Sequence, residues 1–144
     1  MNQPYILLLE NDSHDRELTL EYFGKSEVSI GIEFLTYSNE VIPYLKDAET
    51  LPALILLRIN AVPQTGLEVL KVIKANAGFR HIPVIILGEN TQANLVNECM
   101  AAGAASVINK PFTYALTDAK INAFIQYWFT VVELPSAKIE QLQN

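Results

Sequence analysis

The chain is poor in the residues that build covalent or metal-held structure. It has one cysteine, Cys99, so no internal disulfide is available. Its two histidines, His14 and His81, have no Cys or His at ligand spacing, which reads as two surface residues. Only 18% of the 144 residues are charged, and the 16 acids exceed the 10 bases, for a net charge of −6. With no basic patch to neutralise phosphates, nucleic-acid binding is not expected. No apolar run approaches the roughly 20 residues that span a bilayer. Met1-Asn2-Gln3-Pro4 has neither the basic start nor the apolar stretch of a secretory signal. No Ser-His-Asp or Cys-His set can be assembled for nucleophilic catalysis. Cys99, between Glu98 and Met100, reads as a partly buried structural thiol. These absences lead to the expectation of a cytoplasmic protein without enzymatic activity.

What is present is apolar and strongly patterned. Half of the residues are hydrophobic, enough for one compact core at this length. Short apolar runs at Tyr5–Leu9, Gly31–Tyr37, Ala53–Leu57, Pro83–Leu87 and Ala105–Ile108 read as strands. Helical spacing fills the gaps. Asp12 or Ser13 caps a first helix with Asp15 in its first turn, and Leu18, Tyr22 and Phe23 recur along it. Ser38–Asp47 reads as a second helix despite Pro43, and Gly66–Ala77 as a third. A fourth runs from a cap at Thr91 to about Ala102, and a fifth from Thr113 to about Val131. Pro135 stops that last helix, and Ser136 is placed to cap one more turn. Near-continuous apolar strands alternating with helices mean a parallel sheet covered on both faces. The fold class is therefore α/β, a doubly wound five-stranded parallel sheet of flavodoxin-like (βα)5 type. Ligands of such sheets sit outside the carboxyl ends of the strands. There Glu10, Arg58, Gly88 and Lys110 converge.

Three segments carry a family resemblance: Leu7-Leu8-Leu9-Glu10-Asn11-Asp12, Pro52-Ala53-Leu54-Ile55-Leu56-Leu57-Arg58 with Gly66-Leu67-Glu68-Val69-Leu70, and Asn109-Lys110-Pro111-Phe112. Together the chain resembles the receiver domain of two-component response regulators, the CheY-like family, over about residues 4–131. The resemblance implies a receiver-like domain at 1–131 and a C-terminal extension at 132–144. It also implies a site in which two acids after the first strand and an aspartate after the third hold Mg²⁺, and that aspartate accepts a phosphoryl group. A lysine after the fifth strand pairs with the phosphoryl group, a Thr or Ser after the fourth hydrogen-bonds it, and an aromatic on the fifth reports the switch. On those positions this chain keeps the first acid as Glu10 and the lysine as Lys110. The second acid is Asn11, the acceptor Arg58, the hydroxyl position Gly88 and the aromatic position Val107. The loop from Asn60 to Gly66 also departs, its proline shifted by one place.

Arginine accepts no phosphoryl group. Mg²⁺ wants hard anionic oxygens in octahedral geometry, and a fixed cation about 4 Å from it costs roughly 8 kcal/mol at an effective dielectric near 20. Mg²⁺ binding is thus expected to be weak or absent, with Glu10 and Asp12 the residual candidates. Arg58 is expected to fork onto Glu10 instead, leaving Lys110 to lean toward Glu10 or Asp12.

Phe124, Tyr127, Trp128 and Phe129 are too many rings for one helix face, so some should be exposed and available to an interface. The stretch Tyr127–Pro135 also resembles the extension of single-domain receivers that work with bacterial phytochrome kinases. The family's last helix and fifth strand are its usual dimer or output surface. The leading functional expectation is a pseudo-receiver acting through protein contact. Its partner is a histidine kinase or another receiver, and a homodimer would form through the last helix and extension. Two alternatives stand beside it: a phosphorelay receiver using a non-standard acceptor, for which Asp12 is the only nearby residue, and a flavodoxin-like flavin- or nucleotide-binding protein. The latter needs a Ser/Thr/Gly-rich phosphate loop after the first strand, where this chain has Glu10-Asn11-Asp12-Ser13-His14-Asp15.

Overall fold

The computed structural model describes residues 3–110 and 114–135, with the side chains of 114–118 excepted. Five parallel strands, β1 (Tyr5–Leu9), β2 (Gly31–Leu35), β3 (Leu54–Arg58), β4 (Val84–Gly88) and β5 (Ser106–Asn109), form one sheet in the order β2-β1-β3-β4-β5. The helices between them are α1 (Ser13–Gly24), α2 (Val41–Asp47), α3 (Gly66–Ala75) and α4 (Ala93–Ala101), and α5 (Tyr114–Gln126) follows β5. A π-helical turn, Tyr127–Val131, continues α5. The doubly wound parallel sheet expected from the apolar runs is the observed architecture.

Alternation along each strand divides the core in two. Leu7, Leu9, Ile55, Leu57, Val84 and Ile86 face α2, α3 and α4 with Leu45, Leu70, Ile73 and Cys99. Ile6, Leu8, Leu54, Leu56 and Ile85 are buried on the side of α1 and α5, where Phe23, Phe124, Trp128 and Phe129, themselves partly exposed, pack over them. Both strand faces are apolar because both are roofed by helices.

Several boundaries shift for identifiable reasons. β2 stops at Leu35 because the next two amides leave the ladder: Glu40 Oε1 accepts from Thr36 N at 3.1 Å and Tyr37 N at 2.6 Å. Ser38–Glu40 is a 3₁₀ turn and α2 begins at Val41, which puts Pro43 in the first turn, where a missing N–H breaks no helical bond. α4 starts at Ala93 with Gln92 at its N-cap, so Thr91 is not the cap. The expected helix start at Thr113, with Pro111 and Phe112 before it and the cap at Ser136, lies outside the described residues.

One glycine sets the geometry at the end of β3. A Cβ on Gly66 would lie 2.4 Å from the Arg58 carbonyl oxygen. Only glycine lets the start of α3 press against the strand end, and Thr65 caps that helix by accepting from Glu68 N at 3.1 Å.

Candidate functional site

The carboxyl ends of β1, β3, β4 and β5 bring Glu10, Arg58, Gly88 and Lys110 to one crevice. Glu10 is the buried acid of the described residues, 7% exposed. Its Oε2 accepts from Arg58 Nη1 at 2.7 Å and from the Asp12 amide at 3.3 Å. The expected pairing of Arg58 with Glu10 is therefore present, but as a single charge-assisted hydrogen bond and not a two-pronged fork.

Asp15, in the first turn of α1, joins the same cluster. Its Oδ2 stands 3.9 Å from Arg58 Nη1 and 3.4 Å from Lys110 Nζ. The result is an alternating row Glu10–Arg58–Asp15–Lys110 with no net charge. Lys110 thus leans to Asp15, not to Glu10 or Asp12 as its register suggested. Glu10 is already occupied, and Asp12 is turned to its own helix as N-cap, accepting from Asp15 N at 2.9 Å. That backbone N–H holds the Asp12 carboxyl below the usual carboxylate range.

Arg16 supports the acid from behind. Its Nε donates to the Glu10 carbonyl at 2.6 Å and its Nη2 to Thr36 Oγ1 at 2.9 Å, while the guanidinium lies 5.2 Å from the centre of the Phe34 ring. One side chain thereby ties the ends of β1 and β2 together.

The end of β4 is organised around a missing side chain. Asn90 adopts a left-handed conformation, φ 52°, and turns the chain back so that Thr91 lies over Gly88. A Cβ on Gly88 would lie 2.0 Å from Thr91 Oγ1 and 3.1 Å from Asn109 Oδ1. Asn109 Oδ1 accepts from Thr91 N at 3.2 Å, and the buried Thr91 hydroxyl has no hydrogen-bond partner among the described residues. On β5, Val107 is half-buried against the α3/α4 side of the core. Asn11 is exposed.

The remaining candidates separate cleanly. His14 and His81 are exposed. Cys99 is fully buried, and burial pushes its thiol pKa up, the reverse of a reactive cysteine. Among the described residues no three His, Cys, Asp or Glu side chains are grouped to hold a metal ion, and no helix is long and apolar enough to cross a membrane. Of the four rings at the C-terminal end, Phe124 meets Phe23 edge-on at 6.2 Å, and Trp128 and Phe129 lie against the sheet. Tyr127 is the exposed one, edge-on to Trp128 at 5.2 Å. Asp15, Arg16, Thr91 and Asn109 were not singled out from the sequence as site residues. Only Asp15 left a signal there, as an acid one turn past a helix cap.

The model of the response regulator receiver domain matches residues 6–122. The chain belongs to the response regulator receiver family. The two-component response regulator ARR16 of Arabidopsis thaliana is 27% identical over 96 residues, which cover 67% of this chain but 52% of ARR16. The probable methanogenesis regulatory protein FilR2 of Methanothrix harundinacea is 26% identical over 130 residues, covering 87% of this chain and 84% of its own. Among solved structures, the phosphorylated cyanobacterial phytochrome response regulator RcpA superposes with a TM-score of 0.86 at 24% identity, covering 94% of this receiver and all of that chain. The superposition establishes the CheY-like fold.

Proposed function

We propose that this receiver acts in two-component signalling as a pseudo-receiver, through protein contact and without phosphoryl transfer. The observation that carries the reading is the 2.7 Å bond between Arg58 and Glu10. Arg58 stands at the end of β3, where the family places its phosphoryl-accepting aspartate, and guanidinium is neither a nucleophile nor a metal ligand. The residues do not fit Mg²⁺. Glu10, the acid best placed to bind it, is already neutralised by a cation, and the second acidic position is the exposed Asn11. The row Glu10–Arg58–Asp15–Lys110 supplies internally the charge balance that a bound cation and phosphoryl group would otherwise bring. Asp12 is spent as the α1 cap and does not favour a displaced acceptor.

The partner in this reading is another signalling protein, a histidine kinase or a second receiver. A homodimer would form through the end of α5 and the extension, where Tyr127 and Val131 are 54% and 67% exposed. The deciding experiment is intact mass after incubation with acetyl phosphate and Mg²⁺, with Arg58→Asp alongside. No adduct on the native protein is expected. An adduct on the variant alone makes Arg58 the sole lesion, while an adduct on the native chain overturns the reading.

A further inference from the structure

Among the described residues the two helix layers do not close equally over the sheet. On β4, an interior strand, Val84, Ile85 and Ile86 are fully buried, but Leu87 keeps partial exposure, as does Ile108 beside it on β5. Interior strands roofed by helices on both faces normally bury every apolar residue. Here, among the described residues, the α1/α5 side leaves a cavity of about 270 Å³, walled by Leu8, Leu18, Leu56, Leu87, Ile121 and Phe124. The sequence of α1 explains the gap: the helix is mostly polar, and Leu20, one of its few large apolar residues, is 52% exposed.

The cavity is apolar along its length and charged at one end. Glu10, Arg58, Asp15, Glu89, Lys110 and Lys120 surround that end. Glu10 and Asp15 are engaged with Arg58. The two lysines are less committed. Among the described residues Lys110 Nζ reaches the Asp15 carboxylate at 3.4 Å, and Lys120 Nζ donates to the Asn109 carbonyl at 2.8 Å. An ammonium has three N–H groups, so both retain donors. Glu89 is exposed, and solvent screens its charge.

We propose that this cavity is a binding site for a small amphiphile with a carboxylate head, such as a medium-chain fatty acid. The alkyl chain lies between α1 and α5 on Leu56 and Leu87, and the carboxylate accepts from Lys110 and Lys120. An apolar cavity of about 150 Å³ already takes up benzene, and drug-sized ligands need upward of about 300 Å³; the volume here suits a short chain. Occupancy would brace α1 against α5. The site needs only the cavity and its lysines, so it stands or falls separately from the phosphoryl-transfer reading.

The test is calorimetric titration of the full chain with hexanoate, octanoate and decanoate. Saturable 1:1 binding is expected, tightening about fourfold per methylene until the cavity is full. The double variant Lys110→Ala/Lys120→Ala should weaken octanoate at least tenfold and leave 1-octanol unchanged. Leu87→Phe, or Leu18→Phe from the opposite wall should Leu87→Phe fail to fold, should abolish binding with the far-ultraviolet spectrum intact. Absence of saturable binding by decanoate overturns the site. So does undiminished binding by a folded cavity-filled variant, and equal affinity for octylammonium overturns the assignment of the head group.

Discussion

Thr91 occupies the space that a side chain on Gly88 would need: its Oγ1 lies 2.0 Å from where a Cβ on Gly88 would stand. Residue 88, where the resemblance puts a hydroxyl, carries no side chain, and the hydroxyl of Thr91, three residues further on, takes that space. The left-handed Asn90 delivers that hydroxyl, and the bond from Thr91 N to Asn109 fixes it to β5. This couples the β4–α4 loop to the end of β5.

Placing a hydroxyl at residue 88 by Gly88→Ser should accordingly destabilise the fold. Overpacking of this kind costs about 1–3 kcal/mol, a fall of roughly 3–4 °C in Tm per kcal/mol for a chain of this size. Thr91→Ala alone should be mild, since it deletes a buried hydroxyl with no partner among the described residues. The double variant should recover most of the loss. Thermal unfolding of the four proteins forms a double-mutant cycle, and strict additivity would refute the steric link.

The Glu10–Arg58 bond should couple with the same sign, through a lost attraction instead of a relieved overlap. Glu10→Gln leaves Arg58 without its closest anion, and Arg58→Met leaves a buried carboxylate without its cation. Hydrogen bonds to charged groups contribute about 1.5–3 kcal/mol, and because the Arg58 side chain is 30% exposed, solvent screening lowers the expected coupling to about 1–2 kcal/mol. Urea unfolding of both single variants and the double variant measures it. A coupling near zero would mean that the pair is incidental to the fold.

The fold was legible in the sequence because its signals are local and repeated. Val84-Ile85-Ile86-Leu87 can hardly be anything but a strand buried on both faces, and the spacing of Leu67, Leu70 and Ile73 fixes the inner side of α3. The Glu10–Arg58 bond was also legible, since parallel register alone places those two strand ends side by side. What escaped detection depends on where a loop turns. Thr91 reads as a helix cap by residue type, and only the left-handed Asn90 sends it over Gly88. Lys110 reads as a partner for Glu10 or Asp12 by proximity in the strand-end row, yet Asp15, from the side of α1, reaches it. The cavity was invisible for a similar reason. Apolar residues at helical spacing say that α1 and α5 face the sheet, not how closely they meet it.

Mg²⁺ should separate the native chain from Arg58→Asp. Native Tm is expected to stay unchanged in millimolar Mg²⁺, because Arg58 and Lys110 already balance Glu10 and Asp15. In Arg58→Asp the introduced carboxylate faces both acids, so stability should fall in chelator and return with Mg²⁺. Differential scanning fluorimetry reads both. A Mg²⁺-dependent rise in the native protein would overturn the proposal that the crevice holds no metal ion.

The Asp12 cap gives a pH dependence whose sign is fixed. Its carboxyl is held below the ordinary range chiefly by the Asp15 N–H, so the folded state binds the proton more weakly than the unfolded chain. The contribution is fully present above the unfolded carboxylate pKa and is lost as pH falls through the lower folded value. Asp12→Ala should therefore have a lower Tm than the native protein at pH 7, and the gap should narrow as pH drops below about 4. A gap that widens on acidification would assign the effect to another group.

The last prediction concerns the exposed end of α5. Tyr127 and Val131 lie one turn apart, both more than half exposed. Trp128, Phe129 and Leu134 are already turned to the sheet, so the two outward residues are what this segment offers a second copy. A stable dimer buries about 800 Å² per partner, more than two side chains supply, so the interface must extend along α5 or into residues 132–135. Charged substitution at the centre of such a patch is the sharpest probe, because a buried unpaired carboxylate costs far more than lost contact area. Sedimentation velocity across a hundredfold concentration range should show dimer formation by the native protein. Tyr127→Glu/Val131→Glu should remain monomeric with an unchanged far-ultraviolet spectrum. Equal sedimentation of the two proteins would remove this surface from the proposed interface, leaving the Glu10–Arg58 pair and the cavity beneath it untouched.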